Sequence, residues 1–216
     1  MHNTVKNLIY IKDLIKSKVN VDRIPEIIAV SKTFPIESVL PLIEHGHTHY
    51  GENKVQEALD KWSEVKNSNN EIKLHLIGKL QTNKVKLALR IFDYIHSLDN
   101  EKLAIKISDE QKKQRKKPKI FIQVNIGNEE QKSGISKEKL SEFYTFCSSL
   151  NLEIIGTMCI PPNDSNTETF FSEMNKINKD LKFKDLSMGM SGDYLNAIKN
   201  SSTYVRIGSK IFGSRN

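Results

Sequence analysis

Lys32 follows the apolar run Ile27-Ile28-Ala29-Val30 and precedes Thr33-Phe34-Pro35. A lysine at the mouth of a buried strand can condense with an aldehyde, because burial that lowers its pKa leaves the amine neutral and nucleophilic. Far along the chain come Met188-Gly189-Met190-Ser191-Gly192-Asp193 and then Tyr204-Val205-Arg206-Ile207-Gly208-Ser209. Glycine lets peptide N–H groups approach an anion closely, and serine adds a hydroxyl, so such turns after late strands can hold a phosphate. An aldehyde at one end and a phosphate at the other describe a single cofactor, pyridoxal 5'-phosphate (PLP). Taken singly, each feature has a plainer explanation: a surface charge for the lysine, tight turns for the glycines.

Arg206 carries a mechanistic implication if it faces the cofactor ring. Arginine stays protonated and has no acceptor lone pair. Beside a pyridine nitrogen it would keep that nitrogen unprotonated, and the ring would then be a poor electron sink while still forming an imine. The plain alternative is a surface or ion-pair arginine. His45, His47 and His49 have a spacing that suggests a metal cluster, and His47 and His49 would share a face of a strand. His45 reads as a helix end, and neither cysteine nor carboxylate completes a ligand set, so no metal is expected. Cys147 and Cys159 form no C-x-x-C pair and read as free, reduced thiols of a cytoplasmic protein. Cys159, beside Met158, is either a reactive thiol near a site or a buried one, the commoner case.

These residues need a scaffold. Strands are expected at Glu26–Val30, Thr48–Tyr50, Lys73–Ile77, Tyr94–Ser97, Lys119–Asn125, Glu153–Met158, Asp185–Ser187 and Thr203–Ile207. Helical patterns alternate with them at Ile36–His45, Lys54–Val65, Asn83–Phe92, Glu101–Lys112, Lys137–Leu150, Thr167–Lys182 and Asp193–Lys199. An amphipathic helix is expected over Met1–Lys18, with Val5, Leu8, Ile9, Ile11, Leu14 and Ile15 on its apolar side. Strands apolar on nearly every residue suit a parallel sheet covered on both faces. Alternation with helices points to a single (β/α)8 barrel spanning 1–216, with an open doubly wound sheet as the alternative. No G-x-G-x-x-G follows the first strand, which weighs against a dinucleotide-binding version. In a barrel, functional residues follow the C-terminal ends of the strands, where Lys32, Asn53, Met158, Ser191, Arg206, Gly208 and Ser209 are expected.

Composition narrows the classes. Among 216 residues, 38% are hydrophobic and 27% charged, enough apolar material for a sizeable core. No apolar run reaches membrane-spanning length, and the N-terminus lacks a signal-peptide pattern. The net charge is +7, yet of 33 basic residues the arginines are Arg23, Arg90, Arg115, Arg206 and Arg215, so the excess is lysine spread over the surface. The densest run, Lys112 to Lys117, lies between a helix and a strand and reads as a solvated connector. A basic nucleic-acid-binding module is the competing reading, but no helix-turn-helix, zinc-finger or RNP signature accompanies the charge. Asn67–Asn70 and Pro161–Asn166 read as polar loops of ordinary length.

The motifs Ala29–Thr33, Tyr50–Glu57, His75–Lys84, Gln123–Ile126, Lys132–Gly134, Gly156–Met158, Leu186–Ser191 and Val205–Gly213, in this order and spacing, give the chain a specific resemblance to a known family. Over nearly its whole length it resembles the YggS/PROSC family of pyridoxal-phosphate homeostasis proteins. The resemblance implies a TIM barrel like the N-terminal domain of alanine racemase, with PLP held as an internal aldimine, a Schiff base, on Lys32. It implies Arg206 facing the ring nitrogen, Ser191, Gly208 and Ser209 on the phosphate, and Asn53 and Met158 lining the ring pocket. Lys210 stands where the family commonly has a small residue, which puts the phosphate contacts in question.

The implied role is intracellular PLP (vitamin B6) homeostasis, by buffering or delivery, without established catalytic turnover. Recipients would be PLP-dependent apo-enzymes; no membrane and no specific nucleic acid is expected. The alternative is a PLP-dependent amino-acid racemase. A two-base racemase needs a proton donor or acceptor on each face of the imine. Lys32 could serve one face, with Tyr50, Tyr194 or Tyr204 as candidates for the other. Alanine racemase draws a catalytic tyrosine from a second, β-rich domain that completes its dimeric site. Without it, this chain is expected to be a monomer.

Overall fold

The computed structural model describes residues 1–20, 23–129, 131–162 and 167–214. Eight strands run β1 (Glu26–Val30), β2 (His49–Glu52), β3 (Lys73–Leu76), β4 (Tyr94–Leu98), β5 (Lys119–Val124), β6 (Glu153–Cys159), β7 (Asp185–Met190) and β8 (Tyr204–Ile207). Each pairs in parallel with its sequence neighbours, and β8 closes on β1 with Ala29 opposite Ile207, which makes a closed barrel. The (β/α)8 expectation holds and the open sheet does not. Helices α1 (Asn3–Lys18), α2 (Leu40–Glu44), α3 (Val55–Ser68), α4 (Val85–Ile91), α5 (Glu101–Gln114), α6 (Leu140–Ser149), α7 (Thr167–Asp180), α8 (Tyr194–Lys199) and α9 (Ser209–Phe212) surround it.

The helices form where apolar spacing and capping agree. In α3, Val55, Ala58 and Trp62 are buried at steps of three and four, the stripe a helix turns toward a sheet. In α5, the Asn100 side chain accepts from Leu103 N–H at 3.0 Å and caps the first turn, while Arg115 ends the helix in the left-handed conformation. α1 buries Val5, Leu8, Ile11 and Ile15 and packs against α2 and α9. Asn7 ties it to the last turn by donating to Ile211 O at 3.0 Å.

Two apolar layers result. The larger lies between sheet and helices; the smaller, of Ile28, Val30, Tyr94, Phe121, Met158 and Tyr204, fills the barrel interior. Between paired strands, close approach is met at Gly156, where a Cβ would lie 1.7 Å from Asp185 O.

The differences from expectation are at the ends of elements. β2 begins one residue later than Thr48 and runs to Glu52, and β7 continues through Gly189 to Met190. The expected Ile36–His45 helix is split, with a 3-10 turn at Ile36–Ser38 before α2. α9 has no counterpart in the sequence reading. Of the predicted loop Pro161–Asn166, residues 163–166 lie outside the described residues. The basic run is only partly a connector: Lys112 and Lys113 lie in the last turn of α5, and beyond it Lys116 donates to Arg90 O at 3.2 Å and Lys117 to Asn151 Oδ1 at 3.1 Å.

Candidate functional site

Lys32 follows β1 at the C-terminal end of the barrel and is half-buried. It sits second in a four-residue turn that Phe34 N–H closes on Ser31 O at 3.1 Å. Thr33, third in the turn, has a φ of 70°, the sign a type II turn demands and glycine or asparagine usually supplies. A β-branched residue there costs about 1–3 kcal/mol, which the surrounding structure must offset. Ser31 N–H still donates to Gly51 O, so the β1–β2 ladder runs up to the residue before Lys32.

The neighbouring strands bring the other candidates to the same end. On the β2 side, Asn53 follows Glu52, and its buried Oδ1 has no hydrogen-bond partner among the described residues. An orphaned buried acceptor is uncommon and marks a place where a further donor fits. Gly78 supports this turn, since a Cβ there would lie 2.3 Å from Asn53 O. On the β8 side, Gly208 packs against β1, where an added Cβ would come within 3.3 Å of Val30 O. Gly208 N–H donates to Ser191 Oγ at 3.3 Å and Lys210 N–H approaches it at 3.5 Å. Ser191, from the turn after β7, and the Gly208–Ser209 step are therefore one constellation, with Ser209 exposed at the start of α9. Lys210, the departure from the family pattern, directs its Nζ over the Tyr194 ring, 5.0 Å from the centroid.

Met158 and Arg206 lie below this rim, inside the barrel. Met158 is fully buried among Val30, Ile28 and Phe121. Arg206 is also buried, which excludes the surface reading. Its guanidinium donates to Ser187 O at 3.0 Å, Ser187 Oγ at 2.7 Å and Cys159 O at 2.9 Å. Burial lowers its pKa from the usual arginine value. Cys159 is buried too, and its thiol is pushed up to about 12 by burial, so it packs as a protonated thiol and not as a nucleophile.

Sequence reasoning missed a buried histidine chain. His45, His47 and His49 do not converge: His45 caps α2, and His47 Nε2 pairs with His49 O at 2.9 Å. His49 instead turns to β3, with its Nδ1 2.8 Å from His75 Nε2. His75 Nδ1 lies 2.9 Å from His96 Nε2, and His96 Nδ1 lies 3.0 Å from Ser187 Oγ. The chain thus runs from Glu26, whose carboxylate is 3.7 Å from His49 Nε2, to the hydroxyl that accepts from Arg206. Burial, the largest cause in each case, lowers the pKa of His49, His75 and His96, so the rings are neutral. One proton order satisfies the whole chain: with Nε2–H on His49 turned toward the Glu26 carboxylate, Nδ1 accepts from His75, the same tautomer repeats at His75 and His96, and the Ser187 hydroxyl donates to His96. No local pattern in the sequence marks it: His49, His75 and His96 lie one each on β2, β3 and β4 and face one another only once the strands are paired in register.

The chain matches the family described as alanine racemase, N-terminal domain, over residues 11–216. It is 38% identical to the pyridoxal phosphate homeostasis protein of Vibrio alginolyticus over 88% of this chain and 86% of that one. This chain belongs to the pyridoxal phosphate homeostasis family. The Escherichia coli K12 member is 34% identical, across 100% of this chain and 98% of its own. Among solved structures, PipY of Synechococcus elongatus PCC7942 with PLP bound superposes with a TM-score of 0.85 at 29% identity, covering 97% of this chain and 100% of PipY. The family's fold, a barrel shared with alanine racemase, is the one described above.

Proposed function

We propose that this chain is a single PLP-binding barrel domain over residues 1–216 that holds the cofactor covalently on Lys32 and serves intracellular PLP homeostasis. The observation that carries the reading is the arrangement around Lys32: an orphaned buried acceptor on Asn53 to one side, and the Ser191–Gly208–Ser209 constellation to the other, on strands adjoining or next to β1. The residues present fit the group. Lys32 would hold the group through its neutral amine, which would condense with the aldehyde with loss of water. Ser191, Gly208 and Ser209 hold the phosphate; Asn53 and Met158 line the ring; Arg206 faces the ring nitrogen. Bound PLP supplies an electron-accepting ring to attached amines, and Arg206 restrains that capacity because it has no acceptor for a pyridinium proton.

The role is buffering or delivery to PLP-dependent apo-enzymes, without catalytic turnover, by a monomer in the cytoplasm that takes neither a membrane nor a specific nucleic acid as partner. The homeostasis names of the relatives support the role, and the free buried thiols of Cys147 and Cys159 fit a reducing compartment. No helix among the described residues is long and apolar enough to cross a membrane. The racemase alternative needs a proton-transfer group opposite Lys32. Tyr50 is buried and donates to His47 O, Tyr204 begins β8 at the opposite end of the barrel, and the Tyr194 ring lies under Lys210. None of these positions favours that reading.

A visible absorption titration with PLP, beside Lys32→Ala, tests the proposal. The wild type should develop an imine band that the variant lacks, and α-proton exchange of amino acids in deuterium oxide should stay at the background of free PLP. A band of equal strength in Lys32→Ala would remove the assignment, and stereorandom exchange by the wild type would make the protein an enzyme.

A further inference from the structure

The turn that carries Lys32 is held from below by a second lysine. Lys61, on α3, is nearly buried, and its ammonium lies 2.6 Å from Glu52 Oε1. The same Nζ donates to Ser31 O at 2.8 Å and to Phe34 O at 2.9 Å. These are the two residues that bracket the turn, so the three N–H donors of one ammonium are engaged on Glu52 and on both flanks of Lys32. Glu52 Oε1 also accepts from Ser31 Oγ at 2.7 Å and from Trp62 Nε1 at 3.0 Å, and Glu52 itself is fully buried at the end of β2, one residue before Asn53. A buried ion pair is poor evidence of added stability, since apolar residues of similar volume often do as well. Here the pair meets a local need, because the turn it grips contains Thr33 at a φ of 70°.

We infer that Lys61, locked on Glu52, is a positioning residue for Lys32: it holds the Ser31–Phe34 turn in the conformation that presents the Lys32 amine beside the Asn53 turn. The inference rests on Lys32 being the attachment point. Lys61 is not itself that point, because its donors are spent on Glu52, Ser31 and Phe34.

The test uses the full chain as wild type, Lys61→Met, Lys61→Arg and the pair Lys61→Met with Glu52→Gln, which removes the uncompensated buried carboxylate. Equilibrium dialysis measures PLP affinity. Borohydride trapping with peptide mass mapping locates the adduct. The pH profile of Lys32 acylation, measured without PLP, reports the presentation of the amine, and a cooperative melt confirms folding. PLP affinity should fall by about tenfold or more in the paired variant, as expected when a reacting group is misplaced. The Lys32 acylation profile should shift with it, while the melt stays cooperative. Lys61→Arg, which keeps Glu52 paired and so remains folded, should lie between wild type and the methionine variants, because a planar guanidinium does not meet three converging acceptors as an ammonium does. An adduct on Lys32 with wild-type affinity and an unchanged acylation profile, in the paired variant or in Lys61→Arg, overturns this inference and leaves the attachment reading intact. A wild-type adduct mapped to another residue overturns both.

Discussion

Arg206 is the residue whose burial decides between the two readings of its position, a site residue expected to face the cofactor ring and a surface or ion-pair arginine. In the barrel it is buried and tied to Ser187 and to Cys159 O by three hydrogen bonds. Those acceptors have been taken out of water, so removing the donor leaves them unpaired. Arg206→Gln should lower stability by about 1–3 kcal/mol in urea unfolding. An unchanged midpoint would show that water replaces the guanidinium at no cost. Lys32 and Thr33 illustrate the complementary limit. The order of residue types made Lys32 the nucleophile candidate, but the positive φ at Thr33 could not be read, because threonine is among the residues least expected there.

At the scale of elements, most of the barrel was legible because each strand is a short Ile- and Val-rich run between helical patterns. β4 is buried on all of Tyr94, Ile95, His96, Ser97 and Leu98, as a strand inside a covered barrel should be. α9 was illegible because Ser209–Phe212 is too short to show a period. The phosphate-binding candidates were found from glycine and serine content, whereas the bond from Gly208 N–H to Ser191 Oγ depends on β7 and β8 being neighbours. The histidine chain is the clearest case of register supplying what spacing does not. Tyr50 pairs with Leu74 and His75 with Tyr94, and only that alignment stacks His49, His75 and His96 across three strands. Nitrogen-15 NMR of histidine-labelled protein at neutral pH should find all three as neutral Nε2–H tautomers. An Nδ1–H tautomer or an imidazolium at any of them would break the deduced proton order.

For the molecule as a whole, these buried histidines set the response to acid. Burial, reinforced at His47 by the nearby Lys12 charge, pulls His47 down to about 3; burial together with nearby cationic or imidazole groups lowers His75 and His96 well below the ordinary value. Between about pH 6.5 and those native values the unfolded chain binds more protons than the folded one. Stability is therefore fully present above about pH 6.5 and is lost as the pH falls, by up to about 1.4 kcal/mol per pH unit for each group. Urea midpoints measured from pH 7.5 downward should fall steadily below that point, and a flat profile to pH 5 would mean that the rings are hydrated or charged in the native state. The barrel's two ends thus carry different burdens: the N-terminal side and interior keep histidines neutral, and the C-terminal rim gathers the groups proposed to hold PLP. Attachment of PLP at that rim is read most plainly by reducing the PLP-loaded protein with borohydride and mapping the modified peptide by mass spectrometry. One phosphopyridoxyl group is expected, on Lys32, and none in Lys32→Ala. A group found on Lys61, Lys210 or another lysine, with Lys32 unmodified, would contradict attachment at Lys32.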